Sequence, residues 1–179
     1  MLDFDRARSL ARFLFMSGFV ALGVATPFAA YAAFVDCTST IPVSGDDLNF
    51  DAGVYEGLRT TSSTAPCIEL GNGKDVDLNG APIVCASAGG TCGVAIKALA
   101  ANSVAHDGRI EGNFSVAVQG VTEVKNLKID GSELAVDGND RTLRVFGNVF
   151  RNVWGGVVLG DHVVSTSFAR QLFRARPSQ

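Results

Sequence analysis

The chain has 179 residues, 47% of them hydrophobic and 18% charged, with a formal net charge of −3. That balance excludes a disordered chain and predicts a packed core, while a mildly acidic chain without a basic block gives no footing for nucleic acid. Twenty glycines against five prolines, with many Val, Ile and Phe, favour short strands joined by tight turns over a helical bundle.

Residues 1–33 read as an export signal. Arg6, Arg8 and Arg12 precede the apolar run Phe13 to Ala25, Pro27 breaks it, and Ala30-Tyr31-Ala32 supplies small residues for cleavage after Ala32 or Ala33. The rival is an uncleaved anchor, since Phe13 to Ala33 is nearly long enough to span a bilayer. Gly18, Gly23, Pro27 and the cleavage site weigh against it, so the expectation is a secreted or periplasmic protein with no membrane attachment after cleavage.

The four cysteines, Cys37, Cys67, Cys85 and Cys92, all follow the signal. An even number in an exported chain predicts disulfides, with three connectivities to choose from. Zinc is disfavoured, because there is no Cys-x-x-Cys pair and no histidine near any cysteine in sequence. The preferred pairing is Cys37 with Cys67 and Cys85 with Cys92, each sealing a local loop. In the loop-entropy account the larger ring contributes about 3–4 kcal/mol and the smaller about 2–3 kcal/mol.

Residues 34–70 are the irregular part. They hold Ile41-Pro42-Val43, the turn Gly45-Asp46-Asp47, Leu48-Asn49-Phe50 and the polar run Thr60 to Thr64 ending at Pro66. This segment is expected to be an N-terminal cap, because the first edge of a stacked structure otherwise presents unpaired backbone groups to other chains.

Residues 71–168 repeat with a period of roughly twenty residues. VAHDGRIEGN, VKNLKIDGSE and LRVFGNVFRN are each followed by a short apolar alternation, Val116-Ala117-Val118, Leu134-Ala135-Val136 and Val157-Val158-Leu159. A unit that short with no helical stripe cannot bury its own apolar face and must stack on a copy of itself. The expected fold is all-β, a parallel β-helix of about four to five coils with strands about 4.8 Å apart.

Superposing the coils predicts inward columns. One holds Val76, Val104, Val124 and Leu143; a second holds Ile83, Ile110, Ile129 and Phe150. A third pairs Val94 with Ile96, Val116 with Val118, Leu134 with Val136, and Val157 with Leu159. Alternation then turns Arg109, Lys128, Glu111, Asp130 and Arg151 outward as a charged face. It also turns Ala95, Ala117, Ala135 and Val158 outward as a strip of small residues, edged by Ser115 and Glu133 on one side and Lys97, Gln119 and Asp137 on the other. Such a strip suits a long extended ligand, with Lys97, Gln119, Glu133 and Asp137 as its contacts; the structural alternative is a loop lying over it.

Residues 169–179 form a C-terminal tail or the truncated end of a longer stack, where Phe168, Leu172 and Phe173 interleave with Arg170, Arg174 and Arg176.

The coil pattern resembles the right-handed parallel β-helix group, the pectate-lyase-like superfamily. The likeness rests on Val76-Asp77-Leu78-Asn79-Gly80 leading to Ile83, Gly108-Arg109-Ile110-Glu111-Gly112, Val124 through Gly131, and Asn148-Val149-Phe150-Arg151-Asn152 with Gly155-Gly156-Val157. It implies the fold and no single chemistry, since the same coils serve lyases, hydrolases, epimerases and adhesins. The polygalacturonase-like motifs are not matched: Asp46-Asp47 falls in the cap, and Gly160-Asp161-His162 is not Gly-His-Gly.

Three functions are expected from these residues. The first is binding of polysaccharide or another cell-surface polymer on an outer sheet face, with catalysis not implied and no cofactor expected. The second is a uronate lyase or epimerase, with Asp107, Asp161 and His162 in acid–base roles and Arg141 or Arg144 neutralising the uronate. Asp107, beside a turn glycine and Arg109, is also the candidate ligand for Ca²⁺. The third is a structural piece of a larger surface protein. Against catalysis, neighbouring Asp161 and His162 point oppositely on a strand, and His106 with Asn126 at matching places suits hydrogen bonding at a bend.

Overall fold

The computed structural model describes residues 33–37, 40–50, 55–159, 166–169 and 172–174, all within one structural unit, Ala32–Gln179. Residues 1–32 of the expected export signal, Asp161, His162 and most of the C-terminal tail lie outside the described residues.

Among the described residues there is no helix, and every strand pair is parallel. The strands are β1 (Ala33–Asp36), β2 (Ile41–Val43), β3 (Leu48–Asn49), β4 (Tyr55–Thr60), β5 (Ile68–Leu70), β6 (Asp75–Asp77), β7 (Pro82–Cys85), β8 (Cys92–Ala98) and β9 (Val104–Glu111). They continue with β10 (Phe114–Gln119), β11 (Glu123–Asp130), β12 (Leu134–Asp137), β13 (Leu143–Phe146), β14 (Val149–Arg151), β15 (Gly155–Val158), β16 (Thr166–Ala169) and β17 (Leu172–Arg174).

One sheet has six strands, β2-β5-β8-β10-β12-β15; the other has eleven. The larger sheet has two flanks. The first half of β9 pairs with β6 and the second half with β7; likewise β11 meets β13 with its first half and β14 with its second. The chain thus visits the second flank, the six-stranded sheet and the first flank in turn, then repeats, which is the strand succession of a β-solenoid. Residues 34–70, expected as a cap, contribute β2 to β5 and most of β1 to these same sheets, with β1 on β4 and β2 on β5 in the parallel sense of the rest.

The second flank follows the expected register. Ile83, Ile110, Ile129 and Phe150 are successive partners, with Leu58 ahead of them and Phe173 after. The four central members are fully buried, as stacked positions facing one interior must be. Arg109 and Lys128 are outward partners, as are Glu111, Asp130 and Arg151.

The other columns need correction. Val76 and Val124 align with Ala105 and then Val145, not with Val104 and Leu143. Repeat length is not constant, so superposing the coils at an even period shifts the alignment by one or two residues. Leu143 is buried all the same, whereas Val104 is partly exposed. In the six-stranded sheet the partners of Leu134 and Val136 are Gly155 and Val157, so Leu159 lies beyond the column and is exposed.

The bend between the two flanks is marked by left-handed backbone. Asp107 (φ 55°) and Asn126 (φ 53°) face one another between the register pairs on either side, and Gly147 (φ 70°) follows the partner of Lys125. Asp and Asn tolerate this conformation better than other side-chain-bearing residues. Buried Asn148 braces the bend: its Oδ1 accepts from Leu127 N–H at 2.8 Å and its Nδ2 donates to Val124 O at 2.9 Å. Gly108, just past the bend, leaves room for buried Leu78, whose side chain occupies the space a Cβ would need.

Both disulfides form with the preferred pairing, Cys37–Cys67 and Cys85–Cys92, leaving no free cysteine. They fit an oxidising environment.

Candidate functional site

Two surfaces gather polar side chains in an ordered way. The first is the outer face of the six-stranded sheet. Register places Glu69, Lys97, Gln119, Asp137 and Val158 in one column. Gln119 Nε2 donates to Asp137 Oδ2 at 3.0 Å, so these two neighbours form a hydrogen-bonded rail. On the other side, Ser115 Oγ donates to Gly93 O at 2.7 Å, and Glu133 Oε1 accepts from Thr91 Oγ1 at 3.3 Å.

Between these edges the expected alanine strip is absent from the surface. Ala95, Ala117 and Ala135 have no exposure and belong to the core, as do Ile96, Val118 and Val136 beside them. Val94, Val116 and Leu134 are instead partly exposed and lie outside the core cluster. The ladder skips the alanines, pairing at Val116, Val118 and Gln119. A corner in each strand therefore puts two consecutive residues inward, and strict alternation fails there. The surface strip is a column of larger apolar residues, Val94, Val116 and Leu134, running to Gly155. Immediately before Gly155, Trp154 stands 76% exposed, its backbone N–H donating to Ser132 O.

The second surface is the outer side of the bend. Asp77 and His106 are cross-strand partners on β6 and β9. The left-handed turn at Asp107 brings its carboxylate back, so that Oδ2 lies 2.6 Å from His106 Nδ1; Asp77 Oδ1 lies 3.8 Å from the same nitrogen. Facing an ionised carboxylate, Nδ1 carries a proton. Asp107 Oδ1 accepts from Asn126 Nδ2 at 2.9 Å, and Asp77 Oδ1 accepts from Asn79 N–H at 2.8 Å. The hydrogen bond from His106 holds the Asp107 carboxyl below the usual carboxylate range; partial burial opposes this, and the Asn126 amide adds to it. Nearby Asp75 is shifted the other way, chiefly by burial and then by Asp47.

Asp107 also edges a depression of about 410 Å³ with Gly80, Gly108, Arg109, Asn126 and Lys128. Arg109 is engaged by Glu111 at 3.2 Å, whereas Lys128 is exposed with no ion-pair partner among the described residues.

Of the acid–base candidates, Asp107 alone falls in this cluster. Arg144 pairs with Glu123 at 3.1 Å two rungs on, and Glu123 also holds Lys125 at 3.4 Å. Arg141 is committed to the backbone: Nη1 donates to the carbonyls of Ala98, Ala100 and Gly120, and Nη2 to that of Leu99. Asp161 and His162 lie outside the described residues. Asn126 matches Asp107 across the rung and Lys125 matches His106, which corrects the expected His106–Asn126 pairing by one residue. The sequence reading missed Asp77, although its outward parity in Val-Asp-Leu was legible.

Comparison with protein-family models, with curated proteins and with solved structures finds no match to this chain.

Proposed function

We propose that the chain is a secreted right-handed parallel β-helix of the pectate-lyase-like kind that binds polysaccharide or another extended polymer along the outer face of its six-stranded sheet. One strand of that sheet per coil gives six coils, more than the repeats alone suggest, because residues 41–70 supply β2 and β5. The observation that carries the binding reading is the apolar column Val94, Val116 and Leu134, ending beside a Trp154 that is 76% exposed and flanked by Lys97, Gln119, Glu133 and Asp137. An exposed indole offers a flat apolar body with a polar edge. Rungs about 4.8 Å apart repeat the flanking hydrogen-bonding groups along the polymer's length.

The test is electrophoresis of the protein through gels containing neutral or acidic polysaccharides. Wild type is retarded by a polymer that it binds, and the same polymer quenches fluorescence from Trp154, the chain's one tryptophan. Trp154→Ala and Gln119→Ala lose the retardation. Migration unchanged across polymers of both charge classes, or retardation that both variants keep, overturns the reading.

A second reading, a uronate lyase or epimerase, is favoured by the His106–Asp107 pair beside the depression bearing Arg109 and Lys128. An oriented imidazole next to cationic side chains has the parts for abstracting a proton α to a carboxylate. Release of unsaturated uronate, read as new ultraviolet absorbance, supports the lyase; a polymer bound without product supports the first reading.

A further inference from the structure

We infer that Asp77, His106 and Asp107 form a binding site for a divalent transition-metal ion of the zinc class. The three side chains can each present a ligand atom within 4.8 Å of the others. Two carboxylates and one imidazole offset a double positive charge, and the nitrogen favours a borderline ion over Ca²⁺, which takes six to eight oxygens.

The distances suit such an ion. Tetrahedral zinc with ligands at about 2.0–2.2 Å places its donor atoms about 3.3 Å apart. His106 Nδ1 lies 2.6 Å from Asp107 Oδ2 and 3.8 Å from Asp77 Oδ1, values that bracket this separation. The two carboxylates present oxygens within 4.8 Å of one another, a gap that side-chain rotation must close to reach this spacing, with the metal replacing the proton on Nδ1 and that proton passing to solvent.

The scaffold holds the donors in place before any ion arrives. Asp77 and His106 are locked by the β6–β9 ladder, and Asp107 by its left-handed turn. Each carboxylate also has an outer partner, the Asn79 N–H for Asp77 and the Asn126 amide for Asp107. Outer hydrogen bonds of this kind fix ligand orientation at metal centres. His106 is only slightly exposed, so it presents Nδ1 to the carboxylates without facing open solvent. The competing cation nearest in register, Lys125, is drawn toward Glu123 at 3.4 Å. All four cysteines are oxidised and offer no thiolate. Three protein ligands leave a position open to water or to a ligand oxygen, as in zinc sites of the catalytic kind.

The test titrates the full chain, freed of metal with a chelator, with Co²⁺ followed by Zn²⁺. One equivalent of Co²⁺ should develop visible absorption, and Zn²⁺ should bleach it while calorimetry reports one site per chain. His106→Ala and Asp77→Asn should each weaken binding about tenfold or more, with unchanged circular dichroism, and His162→Ala should leave it intact. The site is overturned by an absent band together with no saturable Zn²⁺ heat up to millimolar metal. It is equally overturned by binding that survives His106→Ala and disappears in His162→Ala.

Discussion

The second flank and the six-stranded sheet use the same repeat but dispose their side chains differently. On the flank, Ile83, Ile110, Ile129 and Phe150 stack in register with charged neighbours turned out, and strand alternation alone accounts for the pattern. In the six-stranded sheet the strands turn a corner at Ala95, Ala117 and Ala135, so that each alanine and the residue after it both face inward. Alternation belongs to straight strands. Where alternation fails, a small side chain turns inward and the larger residue before it, Val94, Val116 or Leu134, is left partly exposed.

The strongest contrast should come from equal truncations on the two sides. Ile129→Ala empties a site with no exposure in mid-stack and should cost about 2–5 kcal/mol. Val116→Ala, at a position that alternation would call core, should cost under about 1 kcal/mol because Val116 is partly exposed and outside the core cluster. Urea midpoints of both variants decide it: comparable losses would put Val116 inside and restore strict alternation.

Asn148→Ala comes next, since it tests the bend of the flanked sheet rather than its straight parts. The change strands Leu127 N–H and Val124 O, both of which the buried side chain satisfies. The expected loss is about 2–4 kcal/mol for two buried groups without partners. Asn148→Asp keeps the acceptor for Leu127 N–H but, once ionised, has no donor for Val124 O. It should therefore fall between Asn148→Ala and wild type at acidic pH, where the protonated carboxyl can donate, and lose stability as the carboxyl ionises. An Asn148→Ala protein as stable as wild type would mean that the bend needs no brace.

Ala117→Leu probes the corner itself. A larger side chain on the surface would cost nothing and could add an apolar contact, whereas one inside the corner overpacks it by about 1–3 kcal/mol. With Ala117 fully buried between Ala95 and Ala135, the second outcome is expected, read as a lowered midpoint with an unchanged denaturant slope.

These contrasts also explain what the residues disclosed unaided. Ile83, Ile110, Ile129 and Phe150 were legible because spacing, parity and turn glycines agree around them. Both disulfide pairings were legible because local loops are the simplest closure. The alanine strip was misread because a corner leaves no local mark: Val-Ala-Val reads as a straight alternation, and only the neighbouring rungs show that the middle residue turns in. The participation of residues 34–70 in the sheets was hidden by strands as short as Leu48–Asn49, whose pairing is long-range. At the bend, Asp107 stood out by its neighbours, but Asp77 joins it through β6 pairing with β9, a register that depends on the extra residues of the Asn79-Gly80 turn.

The smallest effect separates the bend from the rest of the charged surface, through acid. Asp107 releases its proton more readily folded than unfolded, because His106 donates to the ionised form. Its contribution to stability is therefore complete above the unfolded value of about 3.9 and is lost as pH falls through the lower folded value. The side chain is 45% exposed, so solvent screening keeps the contribution modest. Asp75 has the opposite sign: its carboxyl is raised in the folded state, so neutralising it with Asn should stabilise the protein above that raised value and leave acid stability nearly unchanged. Urea midpoints at pH 6 and pH 3 should show Asp107→Asn losing less than wild type on acidification, while Asp75→Asn starts higher at pH 6 and loses more. Equal losses in all three proteins would place the acid response elsewhere in the stack and leave the His106–Asp107 contact without weight in it.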